Sequence, residues 1–146
     1  MTARRGASTP DGTRVSTHPP KVRTAAELAI MQRLRELALA IPSTHEVEAW
    51  GEPTFRIVGG KMFAMFSTSS THHGGGRPAV WIKSTSVNQQ LLITANPARI
   101  FSPPYVGASG WIGVYLDKRP KWSMVRELLE DGWRLVAPKK LLKLSS

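Results

Sequence analysis

A chain of 146 residues with 41% hydrophobic residues has room for one compact domain and not for two of ordinary size. Its 20 lysine and arginine residues outnumber its 10 aspartate and glutamate residues, and the net charge of +10 favours polyanionic partners. There is no cysteine, which excludes disulfides and thiolate chemistry and makes the cytoplasm the expected location.

The N-terminal stretch is predicted to be a disordered basic tail over residues 1–23, followed by a single domain over residues 24–146. The apolar residues of the tail show no period that would bury a face, and the tail lacks the apolar core of a signal peptide. Two interpretations stay open for it, a basic arm that contacts nucleic acid and a solvated terminus. No apolar run in the sequence reaches the ~18 residues that span a bilayer, so no membrane partner is expected.

The first helix is predicted from both of its ends. Thr24 and Glu27 have the spacing of a capping box, and Pro42 stops the continuation of the helix. Between these ends, the apolar residues that recur at helical spacing are Ile30, Leu34, Leu37 and Ile41. This stripe predicts a helix that packs on a core.

Two further helices are expected later in the chain. Residues 85–95 fit a short helix, whose predicted stripe contains Val87, Gln90, Leu91 and Thr94. The last helix begins near Pro120, and the residues on its stripe are Trp122, Val125, Leu129, Trp133 and Val136. Gly132 costs that helix ~1 kcal/mol relative to alanine, so we expect a kink or a break there.

The clearest strand signal is a hairpin around Gly59 and Gly60. β-rich runs over residues 54–58 and 61–66 flank the two glycines, and only glycine takes positive φ at both central turn positions without steric cost. Strict alternation places Phe55 and Ile57 on one face of the first strand. The same rule divides the second strand into two sets, which are Met62, Ala64 and Phe66, and Phe63 and Met65.

Residues 45–50 are expected to lead into the hairpin as a strand, and residues 79–83 to add a third strand to it. A polar loop over residues 67–76 contains nothing that can be buried, and a turn-rich link over residues 101–110 precedes a strand at 111–116. The predicted order is a helix, three antiparallel strands, a helix, one or two strands and a helix. This order favours an α+β fold, a two-layer sandwich of an antiparallel sheet and helices.

The charge pattern of the strands suggests a nucleic-acid surface. No acidic residue occurs between Glu52 and Asp117, whereas the basic residues in this interval are Arg56, Lys61, Arg77, Lys83 and Arg99. On one sheet face they would contact phosphates, and exposed rings of Trp81, Trp111 and Tyr115 would add base stacking. The alternative is a sheet whose lysines protect its edges and whose aromatic rings fill the core.

Catalytic and metal sites are not indicated. His72 and His73 are adjacent in a glycine-rich loop without a carboxylate at ligand spacing, so we expect no metal and no cofactor. Glu46, Glu48 and Glu52 would serve as paired carboxylates, but balancing basic residues such as Arg33 and Arg35 is the simpler role for them. We therefore expect a protein that is not an enzyme.

Several motifs in the domain, taken in order, resemble the MmcQ/YjbR family. They are Trp50-Gly51-Glu52-Pro53-Thr54-Phe55, Gly60-Lys61-Met62-Phe63-Ala64, Val80-Trp81-Ile82-Lys83, Gly110-Trp111-Ile112-Gly113-Val114-Tyr115-Leu116-Asp117, and the ending from Glu127-Leu128-Leu129 through Trp133-Arg134-Leu135-Val136-Ala137-Pro138-Lys139. The resemblance implies an α+β fold of the secretion-chaperone-like or frataxin-like kind, in the order α-β(3)-α-β(2)-α.

The family is often labelled DNA-binding, and the resemblance implies a small basic DNA-binding protein, which we expect to be a monomer. The phosphate-contacting residues predicted here are Arg56, Lys61, Arg77 and Lys83. The alternative is a protein-interaction or small-anion-binding module without catalysis, whose pocket lies between the sheet and the link that ends at Trp111. The pocket residues predicted for it are Lys83, Tyr105 and Trp111.

Overall fold

The computed structural model describes residues 22–68 and 77–143. The predicted tail up to residue 21, most of the predicted polar loop, and His72 and His73 within it lie outside the described residues. Among the helices that are described, none is long and apolar enough to cross a membrane.

The chain folds as an α+β domain, as predicted. The helices are α1 (Ala25–Leu39), α2 (Ser86–Ala95), α3 (Trp122–Val136) and α4 (Lys139–Leu142), with a short 3₁₀ helix at Gly107–Ser109. The strands are β1 (Thr44–Ala49), β2 (Glu52–Ile57), β3 (Met62–Ser67), β4 (Ala79–Ile82), β5 (Ile100–Phe101) and β6 (Ile112–Tyr115). Four strands precede α2, whereas the predicted order counted three. The expected strand before the hairpin is a full member of the sheet, because β1 pairs along its whole length with β2.

The strands form one antiparallel sheet in the order β1-β2-β3-β4-β6-β5. The main core lies between one face of this sheet and the helices, and Trp133 of α3 is its largest fully buried side chain. The Trp133 indole N–H donates to the Pro42 carbonyl at 3.0 Å, which joins α3 to the turn after α1. The opposite sheet face, called the outer face below, carries a second and smaller apolar cluster.

The capping box at the start of α1 is confirmed. The Thr24 hydroxyl accepts from the Glu27 N–H at 3.0 Å, and the Glu27 carboxylate accepts from the Thr24 N–H at 3.0 Å. Arg23, immediately before the helix, donates to the Glu52 carboxylate at 3.1 Å. The folded part of the chain therefore includes Arg23, which the sequence placed in the tail.

The hairpin is confirmed, but its turn and its alternation differ from the prediction. Only Gly59 has positive φ, at +73°, and the Gly60 N–H donates to the Ile57 carbonyl at 2.7 Å. A β-bulge shifts the register between Phe55 and Arg56. Because of this shift, Phe63 and Ala64 both join the main core, whereas Met62 and Met65 lie with the outer-face cluster.

Helix α2 lies where it was predicted, but the side of the helix that is buried differs from the predicted apolar stripe. Val87 and Leu91, on the predicted stripe, are 69% and 63% exposed. The buried residue is Gln89, whose side-chain amide donates to the carbonyls of Gly107 and Trp111 at 2.9 and 2.7 Å. These hydrogen bonds fix the rotation of the helix, since a buried amide without partners is costly.

Ser67 and Thr68, predicted to lie in an exposed loop, are fully buried. Ser67 completes β3 opposite Ala79, and the Thr68 N–H donates to the Glu52 carboxylate at 3.2 Å. The strand therefore continues beyond the last apolar residue of the run.

Gly132 does not break α3, which runs through it to Val136. A Cβ at this position would lie 2.8 Å from the Ile82 side chain and 3.0 Å from the Lys83 carbonyl oxygen. The glycine is required because the helix approaches the end of β4 too closely for a side chain. The predicted kink is therefore wrong, and packing explains the residue.

We expect Gly132→Ala to destabilise the protein by about 1–2 kcal/mol, because overpacking against β4 exceeds the gain in helix propensity. Urea unfolding followed by circular dichroism measures the change. Glu127→Ala, at an exposed position of the same helix, is the control and should stay within about 0.5 kcal/mol of the wild type. A Gly132→Ala variant that is more stable than the wild type would contradict the packing explanation.

Candidate functional site

The outer face of the sheet is built from a row of paired residues. The register places Thr54, Met65 and Trp81 side by side on β2, β3 and β4, and Gly113 of β6 follows. The buried members of the cluster on this face are Met65, Ala79, Trp81 and Trp111. The outer face is therefore apolar and aromatic at its centre, although no residue of a described α-helix belongs to its cluster.

A pocket of about 320 Å³ opens on this face. It is called the aromatic pocket below, and its lining residues are Trp50, Met62, Met65, Trp81, Tyr105, Val106 and Trp111. Trp81 and Trp111 are only 2% and 7% exposed and form its floor, whereas Trp50 and Tyr105 are 49% and 73% exposed and form its rim. Trp81 and Trp111 therefore do not form the exposed base-stacking surface that was predicted, since both rings are buried.

Both rim residues have positive φ. Trp50 and Gly51 connect β1 to β2 with φ of 56° and 79°, the signs that a two-residue type I′ turn requires. Tyr105 has φ of 67° and lies at the centre of a three-residue turn closed by the Val106 N–H on the Pro104 carbonyl at 2.7 Å. A left-handed conformation costs a residue with a Cβ roughly 1–2 kcal/mol, so the turns hold these rings at a conformational cost.

Gln89 holds the segment that closes one side of the aromatic pocket. Its two bonds to the carbonyls of Gly107 and Trp111 bracket the 3₁₀ helix, and Trp111 is itself a floor residue. The position of the pocket wall thus depends on a side chain of α2.

Arg77 takes part in a stacked arrangement at the end of the outer face where β4 begins. Its guanidinium lies 3.6 Å from the Tyr115 ring centroid, and the Tyr115 ring stacks on Phe101 with 4.4 Å between centroids. It also donates two hydrogen bonds to the Asp117 carboxylate, at 2.7 and 3.0 Å. The hydrogen bond from Arg77, together with its charge, lowers the pKa of Asp117 below the ordinary value although burial opposes this shift.

The predicted phosphate-contacting residues do not form one surface. Arg56, on the outer face, lies opposite Met62 and donates to the Thr54 hydroxyl at 3.1 Å, and exposed Lys61 is next to Met62 in sequence. Arg77 and Lys83 flank opposite ends of β4, and an extended chain at ~3.3 Å per residue would separate their Cα atoms by up to about 20 Å.

Lys83 lines a different groove, between α2 and α3, together with Asn88 and Asp131. Two of the five basic residues in the interval without acidic residues are engaged within the fold. Arg77 is paired with Asp117, and Arg99 donates to the carbonyls of Tyr115, Asp117 and Lys118.

The three glutamates considered as paired carboxylates each have a structural partner. Glu46 pairs with Arg35 of α1, Glu52 with Arg23, and Glu48 accepts from the Gly51 N–H at 2.8 Å. The hydrogen bond to Glu46 raises the pKa of Arg35, so that arginine stays charged. Across residues 22–68 and 77–143, no group of three or more histidine or acidic side chains is placed to hold a metal ion.

Of the residues predicted for a pocket, the structure brings Tyr105 and Trp111 together and leaves Lys83 outside. Sequence reasoning missed Trp50, Met62, Met65 and Val106. One signal for Trp50 was present, because a tryptophan before Gly51 occupies a turn position that asparagine or glycine usually fills.

Comparisons with known proteins agree with this fold. The family model described as YjbR matches residues 39–135. Among solved structures, the Deinococcus radiodurans protein DR2400, which carries the domain DUF419, is similar with a TM-score of 0.58 and 19% sequence identity. The similarity covers 70% of this chain and 74% of that one. No curated protein matches the sequence.

We expect Gln89→Met to destabilise the protein by about 1–3 kcal/mol, because two buried carbonyls lose their donor while the volume is kept. Urea unfolding measures this change. Gln90→Met, at the exposed neighbouring position, is the matched control and should be near neutral. Equal effects of the two substitutions would contradict the role assigned to Gln89.

The ion pair of Asp117 predicts a pH-dependent contribution to stability. Because the folded-state pKa of Asp117 is lowered, the contribution is present above the unfolded pKa of about 3.9 and is lost as the pH falls through the folded pKa. We expect Asp117→Asn to be less stable than the wild type by up to about 1 kcal/mol near pH 7, a value limited by partial exposure. The difference should shrink below about pH 4.

Urea unfolding of both proteins between about pH 2 and pH 7 measures this difference. Asp131→Asn provides the control, because Asp131 pairs with Arg134 on an exposed helix surface and should show a smaller effect. A difference for Asp117→Asn that stays constant across the range would show that the charge of Asp117 is not its cause.

Proposed function

The chain belongs to the YjbR family, and we propose that it is a non-catalytic binding protein whose aromatic pocket takes an apolar, ring-sized group of a ligand. One observation carries this proposal. The outer face has a pocket of about 320 Å³ with a buried floor of Trp81 and Trp111 and an open rim. This volume falls at the lower end of the range of ligand sites, roughly 300–1,000 Å³.

The chemistry of the lining supports an apolar occupant. Tryptophan, methionine and valine side chains dominate it, and removing apolar surface from water is the main source of binding free energy at such a site. Met62 and Met65 have flexible, polarisable side chains that adapt to the shape of a guest. An anion is disfavoured as the occupant, because Lys83 lies in the groove between α2 and α3 instead of in this pocket.

The proposal is tested by titrating the protein with 2-naphthol, a neutral apolar ring compound, in isothermal titration calorimetry. We expect saturable binding with one site. Val106→Lys should weaken it at least about tenfold, because a charge at the wall makes desolvation of the pocket costly.

Val58→Lys introduces the same charge at an exposed position of the hairpin turn and should leave the affinity unchanged. Absence of saturable binding to the wild type, or equal losses in the two variants, would refute the proposed use of the pocket.

DNA binding is the second candidate. It is favoured by the net charge of +10 and by Arg56 and Lys61, neither of which is ion-paired with a carboxylate in the part of the chain that the structure describes. Phosphate contacts at these two residues, with basic residues of the N-terminal stretch as a further contact, would be independent of sequence.

We expect binding of labelled double-stranded DNA to weaken with salt, and the slope to flatten by about 2 in the Arg56→Ala, Lys61→Ala double variant at ~0.9 per phosphate contact. Lys139→Ala, Lys140→Ala removes the same charge from α4 and is the matched control. A protein lacking residues 1–21 separates the N-terminal contribution. Equal slopes in both double variants, or binding only through residues 1–21, would contradict DNA contact by the sheet.

A further inference from the structure

The two rim residues of the aromatic pocket share an unusual combination of properties. Trp50 and Tyr105 are large aromatic residues, and both have positive φ. Their exposed fractions are 49% and 73%. In the described residues, the other non-glycine positions with positive φ are Ser43, Lys118 and Arg119. None of those three lines the aromatic pocket.

The turns account for the positive φ of both residues, but they do not account for an aromatic side chain at either position. A two-residue turn between β1 and β2 is best served by asparagine or glycine, which accept positive φ more readily than tryptophan does. A half-exposed ring gains less from burial than a core ring, so burial offsets less of the unfavourable backbone here than it would in the core. Strained backbone that recurs at one site points to a use of that site.

We propose that Trp50 and Tyr105 form an aromatic clamp that makes the pocket selective for a planar, unsaturated and apolar ring. This inference rests on the proposed function, since it concerns the occupant of the same pocket. The floor of Trp81 and Trp111 offers apolar surface to any hydrophobic group. The rim adds the rings of Trp50 and Tyr105, and an aromatic guest can pack on these rings in the offset-stacked or edge-to-face geometry that aromatic pairs prefer.

The lining also disfavours a nucleobase as the occupant. A base carries hydrogen-bonding groups around its edge, and the side chains of Met62, Met65 and Val106 offer no nitrogen or oxygen atom to pair with them. A fused hydrocarbon ring with at most one polar substituent at the open rim avoids this cost. The shared chemistry of the ligand is therefore an aromatic hydrocarbon surface.

Calorimetric titrations with 2-naphthol, its saturated counterpart decahydro-2-naphthol, and adenosine test the selectivity. We expect 2-naphthol to bind the wild type about 3–10-fold more tightly than decahydro-2-naphthol, the ratio that one or two aromatic contacts supply, and more tightly than adenosine. The Trp50→Ala, Tyr105→Ala double variant should bind both naphthol compounds with similar affinity. Trp50→Phe should retain the preference, because it keeps a ring at the rim.

The outcomes separate the clamp from the pocket. If the two naphthol compounds bind the wild type equally, or if the preference survives in the double variant, the clamp is refuted while the pocket stands. Adenosine that binds as tightly as 2-naphthol refutes the preference for an apolar ring. If neither naphthol compound binds, both the clamp and the proposed function fail.

A second measurement tests the backbone argument without a ligand. Trp50→Ala and Trp50→Asn both remove the ring, but asparagine tolerates the left-handed conformation and alanine does not. We expect the Asn variant to melt about 2–4 °C above the Ala variant in calorimetry. Equal melting temperatures would show that the turn imposes no cost on residue 50 and would overturn the inference of a strained rim.

Discussion

A sheet that has helices on one face only must still shield the apolar residues of its other face. In this chain the register sets Met65 beside Trp81 on that outer face, and both are buried although no residue of a described α-helix belongs to their cluster. The segment between β5 and β6 supplies the cover with Val106 and Trp111. Because this segment is short and contains only a 3₁₀ helix, it covers the face incompletely, and the remaining space is the aromatic pocket. The candidate site is therefore a consequence of the sheet architecture.

The net charge of the chain does not show which basic residues of the sheet are engaged by other groups. A long interval without acidic residues indicated a basic sheet. Asp117, the first acidic residue after this interval, nevertheless pairs with Arg77 inside it. Arg99 is engaged by three carbonyl groups at the end of β6. Net charge describes the long-range attraction of a protein for polyanions, whereas a contact surface depends on which cations the fold leaves unpaired. Among residues 22–68 and 77–143, Arg56 and Lys61 have no ion pair with a carboxylate.

The sequence predicted the features whose cause is local. The capping box of Thr24 and Glu27, the end of α1 before Pro42 and the hairpin at Gly59 each depend on a few neighbouring residues, and the structure contains all of them. The features that were missed depend on distant contacts. The bulge at Phe55 is visible only in the pairing with β3, and the rotation of α2 is set by carbonyl groups about twenty residues away from Gln89. In the candidate site, Tyr105 and Trp111 were predicted from the link that contains them, while Trp50 was not, because its turn meets the others only in three dimensions.

The lining of the aromatic pocket comes from separate parts of the chain: the β1–β2 turn, β3, β4 and the segment before β6. An unfolded chain does not bring these parts together, so a guest of the pocket binds the native state alone. By mass action, a ligand at a hundred times its dissociation constant adds about 2.7 kcal/mol to the free energy of unfolding. Thermal denaturation thus reports occupancy of the pocket by any compound that binds there. Compounds or cell extracts can be ranked by the rise in melting temperature that they cause, and the loss of that rise in Val106→Lys assigns it to this pocket.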